Sequence, residues 1–153
     1  MATEITSKVV TGHGKWKQRS HDTTISVHLP ELEKRSNEPI DVVLIGDSML
    51  ERFKTSGSSA RIAQMKSTFN AGVGADKVEN VLYRLGTLGM MEKLADRKVR
   101  LWVVMVGSNN LKKTLKPNEI ELYRLLLRTL LKISPPTSKI ITCEIFHRKD
   151  IKD

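Results

Sequence analysis

The chain has 153 residues, enough for one domain with a sizeable core, and its 39% hydrophobic and 28% charged content is that of a folded globular protein. The formal net charge is +9, but the basic residues are scattered, as in Lys15-Trp16-Lys17-Gln18-Arg19, Arg97-Lys98 and Lys112-Lys113, with no dense basic block, so solvated surface charge is expected and nucleic acid is an unlikely partner. No apolar run is long enough to span a membrane, the N-terminus lacks a signal-type apolar stretch, and the one cysteine, Cys143, rules out an intrachain disulfide framework and fits a reducing, cytoplasmic compartment.

Residues 1–13 are polar and read as a flexible tail; the domain is expected over 14–153. Pro30 followed by Leu32-Glu33-Lys34-Arg35 predicts a short helix, and Glu38-Pro39 an extended entry to the first strand. Val42 to Ile45 is an unbroken aliphatic run, as a strand covered on both faces should be, and it ends on Gly46-Asp47-Ser48. A helix onset over 49–55 and a Ser/Gly loop over 56–59 follow. A second short strand is expected over 68–70. Val78, Val81, Leu82 and Leu85 recur at helical spacing, which predicts a helix over 76–85; a further turn is expected over 90–94. Leu101 to Val106 is the third strand. An amphipathic helix over 118–133 is bounded by Pro117 and by Pro135-Pro136, with its Leu125-Leu126-Leu127 and Leu130-Leu131 run facing the core. A fourth strand is expected over 139–146, with Cys143 as a buried thiol. The order βαβαβαβ implies a three-layer α/β/α sandwich on a parallel sheet.

In such sheets ligands bind at the carboxyl ends of the strands. Three strand ends here carry suitable chemistry. Ser48 stands just past the first, where a helix N-terminus and a nearby base could activate its hydroxyl. Asn70-Ala71-Gly72-Val73-Gly74-Ala75-Asp76 follows the second, and Gly107-Ser108-Asn109-Asn110 the third. A nucleophile beside backbone and amide donors is the layout of an acyl-transfer site. Gly72-x-Gly74 lacks the third glycine of a dinucleotide fingerprint and the lysine of a P-loop. The histidines, His13, His21, His28 and His147, lack metal-ligand spacing, so neither metal nor cofactor is expected.

These three blocks, in order, resemble those of the SGNH (GDSL-like) hydrolases and, within them, the intracellular platelet-activating-factor acetylhydrolases. Gly14-Lys15-Trp16 and Val81-Leu82-Tyr83-Arg84-Leu85 add to the likeness, which runs from about Trp16 to the end. The resemblance implies a flavodoxin-like sheet of order 2-1-3-4 and an esterase that removes short acyl groups from a small-molecule ester without a cofactor. It implies Ser48 as nucleophile, and the Ser48 N–H, the Ala75 N–H and the Asn109 side-chain amide as oxyanion donors, with Asp47, Gly74 and Gly107 in support. Two departures accompany it. Ala75 stands where the family has glycine, and the family's later Asp-x-x-His, which supplies the base, occurs nowhere in this chain. The last strand and helix of the fold are then missing, and activity is expected to be weak or absent. His147, after the fourth strand, is expected to be a solvated loop residue. The alternative is a non-catalytic interaction module that meets a second copy or a protein partner through the free edge of its sheet.

Overall fold

Strand β1 (Val42–Gly46) is buried at every position, which is why its sequence is apolar without alternation. Around it lie β2 (Thr68–Gly72), β3 (Leu101–Met105) and β4 (Lys139–Thr142). All pair in parallel in the order β2-β1-β3-β4, the order the resemblance implies. The structure is a computed structural model that describes residues 2–145 and Asp150.

The helices in chain order are α1 (Ala2–His13), α2 (Gln18–Thr23), α3 (Leu29–Lys34), α4 (Ser48–Glu51), α5 (Arg61–Gln64), α6 (Val78–Gly86), α7 (Met90–Ala95) and α8 (Pro117–Lys132). A wide π turn over Thr24–His28 joins α2 to α3 without a break, and a 3₁₀ turn over Arg52–Lys54 extends α4. The main core forms where α6, α7 and α8 cover one face of the sheet. It contains Val43, Ile45, Phe69, Trp102 and Val104 from the strands, with Val81, Leu82, Leu85, Leu126 and Leu130 from the helices. The other face is thinner. Val42, Leu44 and Leu50 form a small cluster, with Phe53, Ile62, Leu101, Val103 and Met105 half-buried around it. Helices therefore lie on both sides of a parallel sheet, the α/β/α layering expected from the element order. Among the described residues no helix is long and apolar enough to cross a membrane.

Four local expectations differ from the structure. Residues 2–13, within the stretch read as a tail, form α1, which packs on α6 and α8 and buries Val10 completely. The short helix expected from Pro30 is α3, but it continues an unexpected helical stretch that begins at Gln18. β4 stops at Thr142 rather than reaching residue 146, which lies outside the described residues. In α8, Leu126 and Leu130 face the core as expected, but Leu131 is 54% exposed.

Candidate active site

Three features place Ser48. Gly46 lies so close to β3 that a Cβ on it would sit 1.9 Å from the Met105 carbonyl oxygen, so only glycine lets β1 end here. Asp47 leaves the sheet in an extended conformation and caps α4, its carboxylate accepting from the Met49 N–H at 2.9 Å. Ser48 is then the first residue of α4 and is partly exposed. The second carboxylate oxygen of Asp47 accepts from Ser108 Oγ at 3.0 Å, which fastens the end of β1 to the loop after β3. Burial pushes the Asp47 pKa above its ordinary value, and the Met49 and Ser108 hydrogen bonds oppose that rise.

Ser48 and Asn109 line one cleft of about 190 Å³ at the carboxyl ends of β1, β3 and β4. Met105, Val106 and Ile145 give it an apolar wall; Cys143 and Glu144 complete it beyond β4. Gly107 has φ +122°, a conformation that favours glycine, and the loop there passes close under the Ile145 side chain. Cys143 is half-buried at the cleft rather than buried in the strand core, because β4 ends before it.

Ala75 occupies the turn after β2. The Asp76 N–H donates to the Val73 carbonyl at 3.2 Å, and Ala75 within that turn has φ +61°, the left-handed region that glycine favours. Ala75 is exposed and does not line the Ser48 cleft. It is joined to the cleft one residue on, where the Asn109 side-chain amide donates to the Asp76 carbonyl at 2.9 Å. Ser48 and Asn109 are thus brought together, Ala75 is adjacent, and the Asn109 amide is already engaged.

What sequence reasoning missed is the network that holds this turn. Asp76 is fully buried. One carboxylate oxygen accepts from the Lys17 ammonium at 3.2 Å and from the Ser20 hydroxyl; the other accepts from Arg84 Nε at 2.9 Å. Lys17 also donates to the Gly74 carbonyl at 2.8 Å. Arg84, fully buried, donates onward to the carbonyls of Ala71 at 2.8 Å and Gly46 at 3.3 Å. Burial pushes the Arg84 pKa down, and the Asp76 carboxylate beside it opposes that. Asn110 accepts from the Val78 N–H at 3.0 Å and donates to Glu79 at 2.9 Å, fixing the start of α6. The spacing of Asp76 and Arg84 across the start of a helix was visible in the sequence. The contribution of Lys17 and Ser20 was not, because it depends on α2 docking against the turn.

No histidine lines the cleft among the described residues. His147 lies outside them. His21 meets the Tyr83 hydroxyl at 2.9 Å, and His28 is buried edge-on against Phe69. No group of His, Cys, Asp and Glu suited to a metal ion occurs among the described residues.

No protein-family profile and no curated protein matches the chain. A solved structure from Streptococcus pneumonia, provisionally described as a platelet activating factor, superposes with a TM-score of 0.46 at 16% identity. The match covers 82% of this chain and 50% of that one, so this chain spans about half the length of that protein.

Proposed function

We propose that the cleft is an acyl-ester site of the SGNH type, with Ser48 as nucleophile. The observation that carries this reading is the placement of Ser48. It opens a helix directly past the central strand and shares a small, half-apolar cleft with Asn109. In the reaction, Ser48 Oγ attacks the acyl carbonyl carbon and its proton passes to a base. The N–H groups of Ser48 and Ala75 and the Asn109 amide hold the oxyanion. Collapse expels the alcohol, which takes up that proton, and water then releases the acid from the acyl-enzyme. Donors fixed in advance act on charge that appears only in the transition state. For Asn109 this requires exchanging the Asp76 carbonyl for the oxyanion, and for Ala75, which does not line the cleft, it requires the adjoining turn to come in to it.

Among the described residues no histidine lines the cleft to act as that base. Asp47 is held by Met49 and Ser108, and Glu144 is the other carboxylate at the cleft. A serine without a matched base is a poor nucleophile, so the rate of turnover reports whether a base reaches Ser48. The test is hydrolysis of an activated acetyl ester, together with covalent capture by a fluorophosphonate. Capture lost in Ser48→Ala supports the site. Capture unchanged in Ser48→Ala sinks it. Robust turnover that vanishes in Ser48→Ala means another group, His147 first, supplies the base.

A second reading is a non-catalytic interaction module. It is favoured by the exposure of β4, where Ile141 is 51% exposed at the sheet edge.

A further inference from the structure

A second cavity lies far from Ser48 in composition and in the elements that build it. It is a groove of about 580 Å³ between the end of α1 and a flank of α8 where Leu122 and Leu125, half-buried, border the main core. Volumes of this order accommodate small organic ligands. Its floor is apolar: Val9 from α1, with Leu122 and Leu125 from α8. Asn118, Leu122, Leu125 and Arg128 follow one another at helical spacing, so the α8 wall is a stripe about 15 Å long.

The charged groups on the rim are unbalanced. Lys15 and Arg128 line the groove, with the imidazole of His13 beside them, against one carboxylate, Glu121. That carboxylate is engaged by Arg124 at 2.5 Å on the same helix. The rim is therefore cationic over an apolar floor. It is also fixed in place. The Lys15 N–H donates to the Glu79 carbonyl at 2.9 Å, and the Lys15 carbonyl accepts from Asn80 Nδ2 at 3.0 Å. Gly14 packs so closely on α6 that a Cβ on it would meet the Tyr83 backbone at 2.7 Å. Lys15 thus projects from an anchored backbone, whatever its side chain does.

We infer that this groove binds a single-chain amphiphilic carboxylate, a fatty-acid-like anion whose chain lies along Val9, Leu122 and Leu125 and whose head pairs with Lys15 and Arg128. The charge complement selects an anion, and the narrow apolar stripe selects one aliphatic chain. This inference does not depend on the chemistry of Ser48.

The test uses the full chain and sub-micellar dodecanoate, followed by amide NMR and calorimetry. Dodecanoate should saturate one site and shift amides over 9–15 and 118–128. The double variant Lys15→Glu/Arg128→Glu changes two exposed side chains and should weaken binding roughly tenfold or more. Dodecyl maltoside, with the chain but no charge, and butyrate, with the charge but a short chain, should not saturate. Unchanged affinity in the double variant would overturn the inference, as would equal binding of dodecyl maltoside. Shifts centred on the Ser48 cleft would also overturn it. If Lys15→Glu/Arg128→Glu loses its dispersed amide spectrum, Val9→Glu, on an exposed residue of the groove wall, makes the same test.

Discussion

Ala75 holds a backbone conformation that costs an alanine about 1–2 kcal/mol. What holds it there lies on either side. Lys17 donates to the Gly74 carbonyl and to the Asp76 carboxylate, so one ammonium grips the residues flanking the strained one. If the Ala75 N–H serves the proposed oxyanion site, Lys17 positions it, and Ala75 and Lys17 should be coupled. Lys17→Met should let the turn relax and slow fluorophosphonate capture of Ser48 by roughly tenfold. The same change made with Ala75→Gly should slow it far less, because glycine keeps φ positive without help. Equal effects of Lys17→Met in both backgrounds would remove the clamp. Loss of capture in the unaltered protein would instead count against Ser48, and the Ala75 amide resonance then reports the turn independently.

His28 is the residue most exposed to pH. It is fully buried, Lys54 Nζ lies 3.3 Å from its Nε2, and its Nδ1 has no hydrogen-bond partner among the described residues. Burial first, and then the charges of Arg84 and Lys54, lower its pKa from 6.5 to about 2. The folded imidazole therefore stays neutral while the unfolded one takes up a proton below its ordinary pKa. Stability should be intact above that pKa and fall as pH drops beneath it, by up to about 1.4 kcal/mol per pH unit. Urea unfolding at pH 7.5 and pH 5.0 should differ by about 2 kcal/mol from this group, and His28→Gln should shrink the difference. An equal pH dependence in both proteins would show that His28 is not held neutral.

At the scale of elements, the strands and α3 were legible, and α1 and α2 were not, for a definite reason. β1 and β3 declare themselves by aliphatic runs, and α6 by apolar residues at helical spacing. The stretch from Gln18 to Lys34 buries Ser20, Thr24, His28 and Leu32, which are four apart, while Ile25 and Val27 lie 46% and 44% exposed. Its buried stripe is mostly polar and its outer face partly apolar, so hydrophobic periodicity points the wrong way. Ser20 is on that stripe because it reaches Asp76. The site shows the same division. Ser48 and Asn109 follow from strand ends, whereas Lys17 and Ser20 require knowing that this helix docks beside the turn. α1 gives the sharpest check on the element. Val10→Ala should cost about 2 kcal/mol if α1 packs on α6 and α8 as a helix. A tail without fixed structure would leave stability unchanged within about 0.5 kcal/mol.

For the whole molecule, burial falls steadily across the second face of the sheet. Leu44 pairs with Val103, and Val103 with Ile141, so these three share one face from the centre to the edge. Leu44 is 1% exposed and Ile141 is 51% exposed, with Val103 half-buried between them. α4 and α5 pack on β1 and β2, leaving the β3–β4 side of this face thinly covered. The outer edge of β4 also presents backbone groups that no fifth strand engages among the described residues. An apolar face continuous with an open strand edge is what a second copy of the chain can pair with. Sedimentation should show concentration-dependent association. Ile141→Lys should reduce it by placing a charge on the face, and Thr142→Pro by removing a donor from the ladder. Circular dichroism on both variants separates lost association from lost fold. A monomer at high concentration in the unaltered chain would leave the β4 edge without this role. Association that survives both changes would place the contact elsewhere on the molecule.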